Sequence, residues 1–348
     1  KVANALVSWL PGGLGMAGVL ACGLFGAISG STVATVVALG GFMIPALLEN
    51  GYPEKYSIGI MTTSPNLGVI IPPSIGMILY CMISNVSLEG LFLTGFVPGL
   101  LIMLGVCTYS YLMFSKKPEI VRLPPPTVAR TFKVIREGFW SLMLPVIIFG
   151  GIFSGAFTAN EAAVVACVYA FVIELFVHKS MKFSQVKEIT VSSAVTSATL
   201  LIIVAGATCF GRLLTLEDIP GRITETVLTA IQSPAIFLLA MNILLLVVGM
   251  FMDIISATMI LGPVFLPMLD AFGIDWMHFG LIMTVNLAIG YCTPPMGVSL
   301  YITGAIANRD LIFVSKAVMP FLIIQISVLL LMTYVPGVVL WLPRLLGY

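Results

Sequence analysis

The stretch LGGFMIPALLENGYPEKYSIGIMTTSPNLGVIIPP, Leu39 to Pro73, decides the fold because the chain carries it twice. A shift of 222 positions lays it without gaps on LGPVFLPMLDAFGIDWMHFGLIMTVNLAIGYCTPP, Leu261 to Pro295, and 11 of the 35 positions match. Matched Leu and Ile follow from apolar composition alone. Six glycines and prolines in register do not: Gly40/Gly262, Pro45/Pro267, Gly51/Gly273, Gly68/Gly290, Pro72/Pro294 and Pro73/Pro295. Each copy ends in a Pro-Pro pair inside a long apolar segment, where proline removes backbone donors and clashes with the preceding turn. Two interrupted membrane helices in two related halves point to a site at the bilayer midplane.

The bulk composition agrees. The 348 residues are 59% hydrophobic and 9% charged, with mean hydropathy +1.11, whereas a soluble domain carries about 25% charged residues. An all-α integral membrane protein is expected. A net charge of +1 offers no basic field for nucleic acid. Cys22, Cys81, Cys107, Cys167, Cys209 and Cys292 stand singly in apolar segments and read as buried filler. His178 and His278 lie far apart at segment ends, so neither a His-based metal site nor a catalytic triad is expected. The chain opens at Lys1 with no signal-peptide pattern, so its natural N-terminus is expected to be missing.

A spanning helix needs about 20 apolar residues, and that ruler divides the chain. Residues 1–114 form a first repeat: a re-entrant hairpin at 13–48 with its tip at Ser29-Gly30-Ser31-Thr32, a broken helix at 57–82 and a span at 91–114. A cytoplasmic linker follows at 115–138. Residues 139–348 form the second repeat, with spans at 139–157, 162–177 and 191–214. A charged surface segment at 212–226 leads to a hairpin at 235–268, a broken helix at 279–305 and a final span at 311–340. The linker carries Lys116, Lys117, Arg122, Arg130, Lys133 and Arg136, and the next polar loop Lys179, Lys182 and Lys187. The positive-inside rule puts both in the cytoplasm. The first broken helix then runs outward and the second inward, an inverted-topology repeat.

A helix broken at membrane depth persists only inside protein or beside a wet cavity. Its freed carbonyls suit a hard cation such as Na⁺, and its exposed amide ends suit a carboxylate. Side chains that fit this division are Ser29, Ser31 and Thr32 at the first tip, Asn66 and Ser74 at the first break, and Thr293 and Ser299 at the second. The plainer reading of each hydroxyl is back-bonding to its own helix. Asp253, beside Ser256 at the second tip, is a carboxylate with no Lys or Arg within 30 positions. Intramembrane carboxylates mark ion or substrate paths, and a cation is its natural partner. Glu161 follows Thr158 by three, a capping-box pattern at a helix start.

The runs Gly26-Ala27-Ile28-Ser29-Gly30-Ser31, Gly68-Val69-Ile70-Ile71-Pro72-Pro73-Ser74-Ile75 and Gly155-Ala156-Phe157-Thr158-Ala159-Asn160-Glu161-Ala162-Ala163 resemble the large membrane subunit of tripartite ATP-independent periplasmic (TRAP) transporters. The Thr293-Pro294-Pro295 break with Gly297 downstream fits the same family. The resemblance implies a Na⁺-coupled importer of the bacterial inner membrane with an elevator motion, and further helices ahead of the first hairpin. It implies two protein partners, a small membrane subunit, separate or fused, and a periplasmic binding protein that delivers an organic acid. Carried across by motif, Ser29, Ser31, Gly68 and Ser74 would help form one Na⁺ site, and Asp253 and Thr293 a second. Substrate would lie between the tips and breaks, near Thr32, Asn66, Ser256 and Ser299. A sialic-acid-type sugar is the first substrate expected, a C4-dicarboxylate the next. The competing readings are a carboxylate symporter that uses Na⁺ or H⁺ without a binding protein, a channel, and an intramembrane enzyme. The last has neither a nucleophile-base pair nor a metal-ligand set to work with.

Overall fold

The computed structural model describes residues 2–116 and 128–348, so the linker positions Lys117, Arg122, Pro124, Pro125 and Pro126 lie outside the described residues. Every regular element among the described residues is a helix. Nine segments there are long and apolar enough to cross a membrane.

After α1 (Val2–Val7), the chain forms α2 (Gly13–Ser29) and α3 (Thr32–Glu49), joined by the two residues Gly30 and Ser31. A π-turn at Val36–Gly40 lies within α3. The first interrupted helix follows as α4 (54–70) and α5 (Ile75–Ser84), and α6 (Leu88–Phe114) completes the group. Next come α7 (Val128–Phe153), α8 (Ala159–Val177), α9 (Phe183–Leu216) and the short α10 (Ile219–Ala230). The second group is α11 (Pro234–Phe251), α12 (Ile254–Phe272), α13 (Trp276–Gly290), α14 (Val298–Ala307) and α15 (Leu311–Tyr334), and α16 (Gly337–Leu345) closes the chain.

The 222-residue shift carries α2, α3, α4, α5 and α6 onto α11, α12, α13, α14 and α15 to within a few residues at each end. It also carries Pro98 inside α6 onto Pro320 inside α15. Gly51 and Gly273 both turn with positive φ, 80° and 64°, a backbone that only glycine adopts freely. Both Pro-Pro bonds are cis. Gly68 and Gly290 do the same job twice. A Cβ on Gly26 would overlap Gly68 Cα, and one on Gly290 would stand 2.6 Å from Gly249 Cα. Glycine therefore lets each hairpin helix lie backbone-to-backbone on its interrupted helix, the small-residue contact that membrane helices use.

Contacts sort the helix ends onto two faces. On one, Arg309 after α14 clasps Glu54 at the start of α4 with N–O distances of 2.6 and 2.9 Å. On the other, Tyr80 Oη in α5 donates to Trp276 O at the start of α13, 2.8 Å away. The two interrupted helices therefore run antiparallel. Their cores are enclosed: no residue from Tyr56 to Pro72 or from His278 to Cys292 is exposed. By contrast, α9 buries only Gly211 and turns Val191, Val195, Leu201 and Ile202 outward, an apolar surface suited to hydrocarbon.

Several expected boundaries move. The final span at 311–340 is divided, because Pro336 lacks an amide hydrogen and pushes Val335 out of the helical region to φ −124°, ψ 73°. The linker expected to reach 138 is helical from Val128, since no proline follows Pro126 until Pro145. The charged segment at 212–226 is taken up by the end of α9 and by α10, which buries Pro220 and Thr224. Of the cysteines read as buried filler, Cys167 and Cys209 are exposed, because α8 and α9 have few protein neighbours.

The glycine contacts give a direct test. Gly26→Ala should destabilise the purified protein by about 1–3 kcal/mol, the usual range for overpacking, whereas Gly41→Ala has open space to enter and should not. Equal melting temperatures for the two variants would refute the close approach of α2 and α4.

Candidate functional site

The first tip is built by its own polar side chains. Gly30, at φ 59°, ends α2, and Ser31 caps α3 by accepting from Ala34 N at 3.4 Å. Thr35 Oγ1 donates to Ser31 O at 2.8 Å and lies 3.1 Å from Ser29 Oγ. This knot sits against the first break. A Cβ on Gly68 would stand 3.0 Å from Thr35 Oγ1 and 3.3 Å from Ser31 O, and one on Gly30 would stand 2.9 Å from Pro73 O. Ser29, Ser31 and Gly68 are thus brought together, with Ser74 one residue beyond Pro73. Ser74 is fully buried and its hydroxyl has no hydrogen-bond partner among the described residues. Pro72 and Pro73 have no N–H to return to the carbonyls of Gly68 and Val69.

The second tip repeats the geometry with a charge added. Asp253 caps α12 by accepting from Ser256 N at 3.0 Å, and the 222-residue shift takes Ser31 to Asp253 and Ala34 to Ser256. Asp253 is exposed, and no basic side chain pairs with it among the described residues. The next residue, Ile254, donates its N–H to Tyr291 Oη at 2.9 Å. That bond ties the tip to the start of the second break. Thr293 Oγ1 donates to Ile289 O at 2.8 Å, the back-bonded arrangement. The prolines of this break leave Gly290 and Tyr291 carbonyls that are taken up by Thr293 N at 3.0 Å and Ser299 N at 2.9 Å.

The two tips meet. A cavity of about 70 Å³ lies between them, bordered by Ser31 and Thr32 on one side and by Ile254, Ile255 and Tyr291 on the other, with Gly76 of α5 at its wall. Thr32, 1% exposed, has no hydrogen-bond partner for its Oγ1 among the described residues. The first turns of α3 and α12 both border this space; Ala34, Ile254 and Ser256 N–H are taken by Ser31, Tyr291 and Asp253, and among the described residues the amides of Thr32, Val33 and Ile255 remain to favour an anion.

Of the four expected substrate residues only Thr32 borders the cavity; Ser256 follows Ile255 at its edge, and the other two stand elsewhere. Asn66 is fully buried; its Nδ2 donates to Gln325 Oε1 at 2.9 Å, and its Oδ1 accepts from Cys292 Sγ at 3.4 Å. Ser299, also buried, faces the same thiol without a hydrogen bond of ordinary geometry. Asn66 and Ser299 are therefore brought together around Cys292, where the interrupted helices cross, and not around the cavity. Glu161 proves to be a helix cap: Thr158 N and Oγ1 donate to its carboxylate at 2.8 and 3.0 Å.

Sequence reasoning missed Thr35, Tyr291, Cys292 and Gln325. Thr35 sits one turn past a recognised tip and Tyr291 directly before a recognised break, so both carried a positional signal. Cys292 and Gln325 carried none, since their partners lie 226 and 259 positions away.

An enclosed pair of interrupted helices, each closed by a hairpin tip, defines a membrane transport protein. The chain belongs to the tripartite ATP-independent periplasmic transporter family as its DctM component, whose family model matches residues 1–338. It is 40% identical to the C4-dicarboxylate TRAP transporter large permease protein DctM of Rhodobacter capsulatus, covering 99% of this chain and 81% of that one. The Pseudomonas aeruginosa protein of the same name is 41% identical, with the same coverage. The sialic acid TRAP transporter large permease protein SiaM of Vibrio cholerae is 35% identical, again over 99% of this chain and 81% of the relative. The protein is a multi-pass permease of the inner membrane and not an enzyme.

Unpaired and paired polar groups should respond oppositely to removal. Ser74→Ala should leave the melting temperature in Na⁺-free buffer unchanged or raised, because a buried hydroxyl without a partner stabilises nothing. Asn66→Ala should cost about 1–3 kcal/mol, because it strands the Gln325 amide. Equal losses for the two variants would overturn this assignment.

Proposed function

We propose that this chain imports a small organic acid together with Na⁺ by moving the two hairpins and interrupted helices as one body. The observation that carries the reading is the meeting of two helix starts and two unpaired hydroxyls, those of Thr32 and Ser74, at the junction of the tips with the first break. The helix starts hold a carboxylate without any Lys or Arg. Oxygen ligands from Ser29, Ser31, Gly68 and Ser74 hold one Na⁺, and Asp253 and Thr293 contribute to a second. Thr32 faces the space where substrate enters between the tips, and Ser256 follows Ile255 at its edge. Asp253, lacking a basic partner, supplies the negative charge that a cation neutralises.

The hairpins are re-entrant on this reading. Each tip packs against the break midway along an interrupted helix and not at that helix's end: a Cβ on Gly30 would stand 2.9 Å from Pro73 O, and Ile254 N donates to Tyr291 Oη at 2.9 Å. The repeats are inverted: with the loop after α8 in the cytoplasm, the Glu54 and Arg309 ends face the cytoplasm and the Tyr80 and Trp276 ends the periplasm. The division into repeats at 1–114 and 139–348 follows from that arrangement. The elevator motion is favoured because α9 presents an apolar, scarcely buried flank along which a compact body can slide within lipid.

The family is tripartite, which supports a small membrane subunit, separate or fused, and a periplasmic binding protein as partners. Identity of 40–41% to permeases named for C4-dicarboxylates, against 35% to one named for sialic acid, favours the dicarboxylate. That reverses the order expected from the motifs alone.

The test is uptake into proteoliposomes holding the permease, its small subunit and the binding protein. Uptake should require an inward Na⁺ gradient. Asp253→Asn retains a capping side chain but loses the charge, and should cut Na⁺-driven uptake at least about tenfold, a loss of roughly 1.4 kcal/mol, with the melting temperature held. Full uptake by Asp253→Asn would remove Asp253 from the cation path. Strong uptake of free acid without the binding protein would favour the simpler symporter.

A further inference from the structure

The buried cluster at the crossing of α4 and α13 is left unused by the transport scheme above. Gln325, on α15, is fully buried, and its Nε2 donates to Thr63 O at 2.9 Å. Thr63 is the last residue before the 3-10 turn Ser64–Asn66, where the ladder of the first interrupted helix changes pitch. Gln325 Oε1 accepts from Asn66 Nδ2 at 2.9 Å, at the far end of the same turn. One side chain from another helix thus brackets the turn that leads into the first break.

The bonds continue into the second half. Asn66 Oδ1 accepts from Cys292 Sγ at 3.4 Å, and the same thiol lies 3.1 Å from Thr62 O. Cys292 stands between Tyr291, which holds the second tip through Ile254 N, and Thr293. An unbroken line of buried contacts therefore runs from Gln325 through Asn66 to Cys292. It passes through Asn66, two residues from Gly68, and ends at Cys292, one residue from Thr293. Every member is enclosed, so none of these groups can exchange its partner for water, and a shift at one break must be met by a shift at the other.

We infer that Gln325 and Cys292 are positioning residues that join the two breaks, so that the cation site at Ser29, Ser31, Gly68 and Ser74 and the site at Asp253 and Thr293 bind cooperatively. Neither residue touches cation or substrate. This rests on the Na⁺ reading above, and the experiment separates the two.

The Na⁺ dependence of uptake is measured in proteoliposomes with the complete transporter. The Na⁺ dependence of the melting temperature of the purified protein is measured in parallel, because a bound ion stabilises the fold whether or not transport occurs. The wild type should show a Hill coefficient above one. Gln325→Met, of similar volume, and Cys292→Ala should each bring the coefficient close to one. Each should also raise half-saturating Na⁺ at least about fivefold, the lower end of ordinary coupling between sites, while uptake at saturating Na⁺ stays within about twofold. Cys292→Ser, which puts an O–H donor in place of the S–H, should keep the wild-type coefficient. Because Cys292→Ala removes little volume, it tests the idea even where Gln325→Met fails to fold.

A wild type with no Na⁺ dependence would overturn the Na⁺ reading and this inference with it. A cooperative wild type whose coefficient survives in both Gln325→Met and Cys292→Ala would overturn the inference alone. So would a Cys292→Ser variant that behaves like Cys292→Ala.

Discussion

Hydrocarbon offers no hydrogen bonds, so any backbone group released inside a membrane must be met by protein or by a ligand. That constraint governs this structure. Two prolines in each interrupted helix release carbonyls midway along it, and the rest of the chain is arranged to enclose the result. The enclosed runs, Tyr56 to Pro72 and His278 to Cys292, contain no exposed residue. Their covers are the hairpins, which come close enough only because Gly26, Gly68, Gly249 and Gly290 have no side chains to hold the backbones apart.

This explains which parts of the fold were legible in the sequence. Prolines that interrupt a ladder, and the glycines Gly68 and Gly290 that permit backbone contact, cannot be replaced without changing the geometry, and both copies keep them in register; their hairpin partners Gly26 and Gly249 fall one position out of it. Pro98 and Pro320 extend the same register to a pair of helices that hydropathy alone does not relate. Helix ends were less legible. The apolar ruler stops where polar caps begin, so it loses the first turns that Ser87 and Asp275 hold in place. It also runs through Pro336, because apolar residues on both sides disguise a change of direction.

The candidate site was legible by position and less so by partner. A tip or a break announces itself in a few consecutive residues, and Ser29, Ser31, Gly68 and Asp253 all fall where that signal pointed. What the signal cannot separate is a hydroxyl or amide facing a cavity from one facing another helix, since both are polar residues in an apolar segment. Asn66 shows the difference. Read locally it belongs with substrate; in the fold both ends of its amide are engaged by Gln325 and Cys292.

The two halves share a backbone plan but divide the chemistry unequally. The second break returns its released carbonyls to Thr293 N and Ser299 N, while at the first the amide equivalent to that of Thr293, Ile71 N, donates to Leu67 O instead. The second tip has a carboxylate, Asp253, where the first has the hydroxyl of Ser31. Charge therefore sits where the backbone is satisfied, and free backbone oxygen sits where charge is absent. Each half carries one source of negative oxygen and lacks the other. A carboxylate at the first tip as well would set a second negative charge against the same space, and released carbonyls at both breaks would leave twice the unmet backbone. Splitting the two between related halves keeps each cost single. It also leaves the space between the tips to the helix starts, whose amides favour the opposite sign of charge.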